Sequence, residues 1–204
     1  LCAPTRIGTR FFKGSRYPVA AIDESDDRSL RTLDDRYGET DRCVRLGILA
    51  ARRTMSETGW DGVDAVLAGA SRGTTGILEA AHERFLDQGR VPVKTSPLTT
   101  LGAVSSRIAH DIGACGTAVD LSVTCSTALH AVHLGAALIR AGEAERVLAG
   151  GTEAPLTPFT IAQMEALGIQ AKPDDPFPCR PCGADPERAN SMVLGEGAGM
   201  LALS

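Results

Sequence analysis

Apolar residues follow two rhythms along this chain, a three-to-four-residue recurrence and short unbroken runs, with glycine at most of the boundaries. Val44, Ile48, Ala51 and Met55 recur at i, i+4, i+7 and i+11, which places them on one face of a helix running to about Glu57, and Thr40 or Asp41 stands where its N-cap belongs. Ala65-Val66-Leu67-Ala68 is an apolar run of strand length, and Gly69-Ala70-Ser71-Arg72-Gly73 leads from it into a helix from Thr74 to Leu86. Leu98, Leu101, Val104 and Ile108 mark a further helix that ends before Gly113. Thr117 to Val123 is rich in β-branched and apolar residues and predicts a strand, entered through Gly113 and Gly116.

Ser126 to Ala141 predicts a helix, with Gly142 placed to end it. Leu129, Val132, Leu134, Leu138 and Ile139, padded by alanines, leave almost no polar face before Arg140. That is the pattern of a helix buried on all sides. Arg146-Val147-Leu148-Ala149 predicts the next strand, with Gly150-Gly151 ending it in a turn. Strand, helix and strand within about thirty residues is the parallel crossover unit. Two or three such units predict an α/β fold with a mostly parallel sheet covered by helices.

Composition narrows the classes of function. The chain has 204 residues, 43% hydrophobic and 23% charged, enough for a sizeable core in an ordinary soluble domain. A net charge of −4 gives no basic footprint for nucleic acid. The longest apolar helix is interrupted by His130, His133 and Arg140, and no charged-then-apolar leader opens the chain. These features predict a cytoplasmic protein with no membrane partner. From Lys172 to Asn190 five prolines, Pro173, Pro176, Pro178, Pro181 and Pro186, exclude a regular helix or central strand and predict a loop.

Candidate chemistry centres on cysteine. Cys2, Cys43, Cys115 and Cys125 are scattered and read as reduced thiols. Cys179-Arg180-Pro181-Cys182 is spaced like half a zinc site, but no second pair or nearby histidine completes it, so neither a metal nor a cofactor is predicted. The glycines at residues 69–73 lack the Gly-x-Gly-x-x-Gly and Lys-Ser/Thr patterns of phosphate loops, which excludes nucleotide binding. Cys125 is different in position, because an extended run ends in it as a helix begins. Unpaired amides and the positive end of the helix dipole there favour a thiolate. For an arbitrary cysteine a small core residue is the commoner reading. A strand-to-helix corner, however, is where folds display a nucleophile, although Gly-x-Ser-x-Gly is absent. His130 and His133 lie five and eight residues beyond Cys125, where a satisfied core histidine is the plainer reading than a partner for the thiol. His82 and His110 carry no catalytic expectation.

Three motifs in order now resemble a known family. Asp120-Leu121-Ser122-Val123-Thr124-Cys125-Ser126-Thr127, then Leu148-Ala149-Gly150-Gly151-Thr152-Glu153-Ala154, then Met192-Val193-Leu194-Gly195-Glu196-Gly197-Ala198-Gly199, are similar to the β-ketoacyl-acyl-carrier-protein synthases. The double glycine before Thr152-Glu153 resembles the elongating members more than the priming synthases or thiolases. The likeness runs from about Asp64 to the end, and the glycine-rich first strand of the family is not recognisable in Leu1 to Arg16.

The resemblance implies a thiolase-like fold of two similar α/β halves, of which residues 1–204 form the N-terminal one, incomplete at both ends. It implies a homodimer paired near the strand before the nucleophile, or a heterodimer with another ketosynthase-type subunit. It implies that Cys125 takes an acyl group from an acyl carrier protein, that its own amide supplies one oxyanion donor, and that a malonyl carrier then undergoes decarboxylative Claisen condensation with it. The family's two catalytic histidines belong to the other half, and no histidine here matches them. Pro158 to Met164 aligns with a segment bordering the acyl tunnel, which makes Met164 and Ile161 candidate substrate contacts. Arg42, Arg45, Arg52 and Arg53 fit a solvated helix face better than a carrier-docking patch. The stretch Pro176-Phe177-Pro178-Cys179-Arg180-Pro181 departs from the elongating synthases and suits a specialised branch. Two rival readings remain: a thiolase or priming synthase using coenzyme A thioesters, and a non-catalytic, chain-length-factor-like partner subunit, which typically lacks the cysteine.

Overall fold

The apolar run that begins at Ala65 lies inside a four-stranded sheet and is buried along its whole length. The structure is a computed structural model and describes residues 5–8, 16–171, 178–180 and 191–204. In chain order its elements are β1 (Thr5–Gly8), β2 (Arg16–Ala20), α1 (Glu24–Arg31), α2 (Asp34–Tyr37), α3 (Arg42–Thr58), β3 (Ala65–Gly69), α4 (Thr75–Gln88), α5 (Thr95–Thr99), α6 (Ala103–Ile112), β4 (Thr117–Leu121), α7 (Thr127–Arg140), β5 (Val147–Glu153), α8 (Pro158–Ala166), β6 (Leu194–Gly195) and β7 (Gly197–Leu203). They form two compact units, Leu1–Glu24 with Pro155–Glu196, and Ser25–Ala154 with Gly197–Ser204.

The larger unit is the predicted α/β layer. Its sheet runs β4-β3-β5-β7, with β3 parallel to both β4 and β5 and with β7 antiparallel to β5. Side chains alternate along a strand, so Ala65, Leu67, Val147 and Ala149 share one face and pack with Ala131 of α7. The opposite face receives α6, whose Ser105 hydroxyl bonds the Ala68 backbone, and α3, whose Cys43 carbonyl accepts from Thr152 Oγ1 at 2.7 Å. Asp41 is the N-cap of α3, accepting from Cys43 N at 2.9 Å, and Gly59 ends that helix in a left-handed turn.

Three expectations change. The double glycine does not end its strand: β5 runs through Gly150 and Gly151 to Glu153. Both lack a side chain because neighbours come too close. A Cβ on Gly150 would lie 2.1 Å from the Gly199 carbonyl oxygen of β7, and one on Gly151 would lie 2.9 Å from the Ala128 methyl of α7. The helix foreseen through Leu98 and Ile108 is two helices. The first, α5, ends at Thr99 because Thr100 is extended, with φ −71° and ψ 149°, and Gly102 stands at the N-cap of the second, α6. Finally, α7 is not buried all round. Thr127, Ala131 and Gly135 are buried, whereas Leu129 is 74% exposed and His130 and His133 face solvent. Its apolar composition is real, but the sheet covers only one side of it.

Close approach makes a testable contrast. A Cβ on Gly135 would meet side-chain methyls, of Leu203 and Val147, at 2.9 and 3.0 Å, and a side-chain contact gives more readily than backbone. At Gly150 the obstacle is backbone. Gly150→Ala is therefore expected to destabilise by about 3 kcal/mol and Gly135→Ala by about 1 kcal/mol, the range of overpacking costs, as read by denaturant midpoints. Equal costs would contradict the rigid β5–β7 contact.

In the smaller unit β2 pairs antiparallel with β1 and parallel with β6. The Glu196 amide donates to Ala20 O at 3.0 Å, and the chain then passes into β7, so the Gly-Glu-Gly-Ala-Gly run is where it changes sheets. Thr157 caps α8 and Pro158 opens it, both favoured in those positions. Of the Pro-rich stretch 172–190, only residues 178–180 are described, so the loop prediction and Cys182, like Cys2, lie outside the described residues.

Candidate active site

Beyond β4 the backbone turns sharply at Thr124, whose φ of +51° is the one non-glycine positive value among the described residues. A β-branched residue rarely adopts this conformation, and where it persists the surroundings must enforce it. Here the first turn of α7 does so. Ser126 Oγ donates to Val123 O at 2.9 Å, and the Ser126 and Thr127 amides return to Val123 O and Thr124 O, each at 3.3 Å. Thr127 Oγ1 accepts from Val123 N at 2.9 Å and donates to Thr124 O at 2.7 Å. Cys125 sits at the apex, exposed, immediately before Ser126, the N-cap of α7. Its amide enters none of these bonds.

Cys125 opens onto a cleft of about 250 Å³. Thr124, Cys125, Thr127 and Ala128 form one side, Gly69, Ala70 and Ser71 another, and Gly151-Thr152-Glu153 with Gly197-Ala198-Gly199 the rest. The three motif segments of the sequence, far apart along the chain, therefore line one space. Glycine keeps it open and lets β5 approach the start of α7. Among the described residues no histidine, lysine or arginine lines the cleft; the one charged side chain among them is Glu153, whose Oε1 accepts from Arg72 N at 3.1 Å.

Of the supporting residues, the sequence offered Asp41, with Thr40, only as the cap of α3. Asp41 is buried and caps two helices at once, since its second oxygen accepts from Ile77 N in the first turn of α4 at 2.9 Å. Cys43 Sγ donates to Gly73 O at 3.2 Å, bracing the far end of the loop that carries Ser71. Burial holds the Cys43 thiol far above its ordinary range, and the charges of Asp41 and Glu153 push the same way, so it stays neutral and unreactive. Cys115 and Cys179 are exposed but lie outside the cleft.

Neither histidine on α7 is a core residue, contrary to expectation. His130 Nδ1 lies 3.0 Å from Ser126 O, which makes Nδ1 the protonated nitrogen, and His133 is exposed. His110 likewise faces solvent and contacts Arg36 at 3.2 Å. Ile161 is wholly buried in the smaller unit, whereas Met164 lines a cavity of about 10 Å³ with Ile169, Gln170, Met192 and Leu194. Arg42 and Arg52 are engaged in ion pairs with Asp27 and Asp111 at 3.0 and 2.7 Å. Among the described residues no group of three His, Cys, Asp or Glu side chains could hold a metal, and no helix is long and apolar enough to cross a membrane.

Asp120, five residues before Cys125, accepts from the Ser105 amide at 3.1 and 3.0 Å and so caps α6, while Ser105 Oγ donates to Val119 O at 2.7 Å. Burial outweighs these bonds and raises its pKa to about 6. The folded chain therefore holds a proton that the unfolded chain releases near 3.8. This group's contribution to stability is greatest below that value and falls as pH rises toward 6. The stability difference between Asp120→Asn and the parent chain should grow in the variant's favour across pH 4–6, by about 1–2 kcal/mol after allowance for partial exposure. A difference independent of pH would contradict the assignment.

The geometry can now be set beside known proteins. The model of the family "Beta-ketoacyl synthase, N-terminal domain" matches residues 4–204. The chain belongs to the β-ketoacyl synthase family. The match reaches past the stretch before Asp64, where the motifs alone show no likeness. Nodulation protein E of Rhizobium sp. (strain N33) is 33% identical over 171 residues, covering 80% of this chain and 41% of that protein. The chloroplastic 3-oxoacyl-[acyl-carrier-protein] synthase I of Hordeum vulgare is 31% identical over 197 residues, covering 87% of this chain and 40% of that one. The chain thus spans about two-fifths of the length of these relatives. The solved ishigamide ketosynthase/chain length factor matches with a TM-score of 0.77 at 23% identity, over 98% of this chain and 50% of that one. A type II PKS acyl-carrier protein in complex with its ketosynthase bound to the hexaketide matches with a TM-score of 0.70 at 23% identity, over 79% and 43%. The thiolase-like fold of this ketoacyl synthase domain is therefore shown.

Proposed function

We propose that this domain provides the acyl-accepting half of a 3-oxoacyl-[acyl-carrier-protein] synthase working in fatty-acid or polyketide synthesis, with Cys125 as the acylated residue. The observation that carries this reading is the convergence of the three family motifs on one cleft, with an exposed thiol at a strained strand-to-helix turn. Cys125 Sγ bonds to the thioester carbonyl carbon of an acyl carrier protein, the carbon–sulfur bond to the carrier breaks, and the carrier leaves as its thiol with the proton that Cys125 gave up. The Cys125 amide faces the developing oxyanion. A malonyl carrier then loses carbon dioxide, and its carbanion attacks the thioester on Cys125, freeing the thiol.

The second step needs donors for the enolate, and among the described residues that line the cleft there is neither histidine nor cation. We place those groups in a second half that covers the open side of α7, where Leu129, His130 and His133 are exposed. β4 is an edge strand with exposed Val119 and Val123 on and beside it, which suits pairing with a second ketosynthase-type subunit, identical or not. Met164 is the proposed acyl contact, with Ile161 fixing α8 behind it. The carrier protein, the dimer and a cytoplasmic setting belong to this proposal.

Turnover tests it. The whole protein, given acyl and malonyl groups on a carrier protein, is expected to release carbon dioxide and yield a β-ketoacyl carrier. Loading from acyl-coenzyme A alone, with no use of the carrier, would favour the thiolase or priming reading instead. No loading of any kind would favour the non-catalytic subunit.

A further inference from the structure

We propose that Thr127 is a positioning residue for Cys125: its side-chain hydroxyl, by bonding the backbone on both sides of Thr124, holds the turn that presents the thiol. This rests on the reading of Cys125 as the nucleophile. Thr127 is buried, and its one oxygen is used twice, accepting from Val123 N at 2.9 Å and donating to Thr124 O at 2.7 Å. The two bonds bracket the residue with φ of +51°. Thr127 is the first residue of α7, and its hydroxyl takes up both an amide and a carbonyl of the preceding loop, so the loop and the helix are tied by a single group. Without it, Thr124 can relax toward an ordinary extended or helical conformation, and Cys125 swings away from the start of α7. Ser126 makes a weaker tie, since its hydroxyl reaches only Val123 O.

The distinction between holding the fold and aiming the thiol is measurable in one molecule, because Cys115 and Cys43 serve as internal references. Both Cys115 and Cys125 are exposed, and Cys43 is buried. Iodoacetamide is the probe: a bond forms between Sγ and the methylene carbon, iodide leaves and the thiol proton goes to solvent. Rates at each cysteine are followed by peptide mass spectrometry, alongside kcat/KM for acyl loading from an acyl carrier protein. Thr127→Val matches the shape without either hydrogen bond. It is expected to lower the Cys125 rate and the loading kcat/KM by about tenfold or more, while Cys115 is unchanged and Cys43 stays protected. Thr127→Ser restores the hydroxyl and should return both to within about threefold of the parent, which corresponds to under 1 kcal/mol. Equal Cys125 reactivity in the parent and in a folded Thr127→Val overturns the proposal. If Thr127→Val exposes Cys43 and so reports unfolding, Thr127→Ser decides: a tenfold fall there, in a protein with Cys43 protected, also overturns it. A parent chain in which Cys125 reacts no faster than Cys115 refutes the nucleophile reading itself, which is a separate outcome.

Discussion

Cys125→Ser is expected to abolish acyl loading, by at least about 1,000-fold in kcat/KM, with the fold unchanged. A serine hydroxyl is a poor nucleophile unless a base takes its proton, and the described residues that line the cleft offer no histidine to do so. The nearby carboxylate, Glu153, is turned to the Arg72 amide. The thiol needs less help, since cysteine is intrinsically nucleophilic. Sulfur and oxygen differ little in size at an exposed site, so circular dichroism and thermal midpoint should match the parent. Retained loading would show that another group accepts the acyl chain.

Asp41→Ala is expected to be the most damaging substitution away from the cleft, costing about 2–4 kcal/mol and lowering the thermal midpoint by roughly 5–15 °C. Two amide donors, the buried Cys43 N and the half-buried Ile77 N, lose their acceptor together. Both lie on elements that brace the wall opposite Cys125. Asp41→Asn keeps one carbonyl oxygen and turns an NH2 toward the other amide, so it should recover less than half of the loss. Asp27→Ala is the control. Its ion pairs with Arg31 and Arg42 are partly exposed and should cost under about 1 kcal/mol. Equal effects of the two alanine variants would contradict the double cap.

What the sequence revealed follows a physical division. Periodicity reports which residues avoid water, and it located the spans of α3, β3, α4, β4 and α7 within a few residues. It does not report what covers an apolar face, so α7 read as buried all round although the sheet covers only the Ala131–Gly135 side. Gly150 and Gly151 read as a turn because local propensity cannot distinguish a glycine that bends the chain from one that admits Gly199 or Ala128. The break at Thr100 to Gly102 was marked in the residues by Gly102 but outweighed by the spacing of Leu98 to Ile108.

At the site, the place of Cys125 at a strand-to-helix corner was legible because the strand before it and the helix after it each have a sequence pattern. Thr127 was not singled out, and Asp41 was legible only as a cap of α3. The second bond of Asp41, to Ile77 N, reaches a part of the chain that no local pattern links to it, whereas both bonds of Thr127 stay within four residues. The histidines went the other way. His130 is near Cys125 in sequence, but its ring is held against the Ser126 carbonyl.

The most direct measurement is a peptide map of the whole protein after incubation with an acyl carrier protein bearing a labelled acyl thioester. The acyl mass is predicted on Cys125, with Cys43, Cys115 and Cys179 unmodified. Acyl mass on any of those three while Cys125 remains free would contradict the central claim.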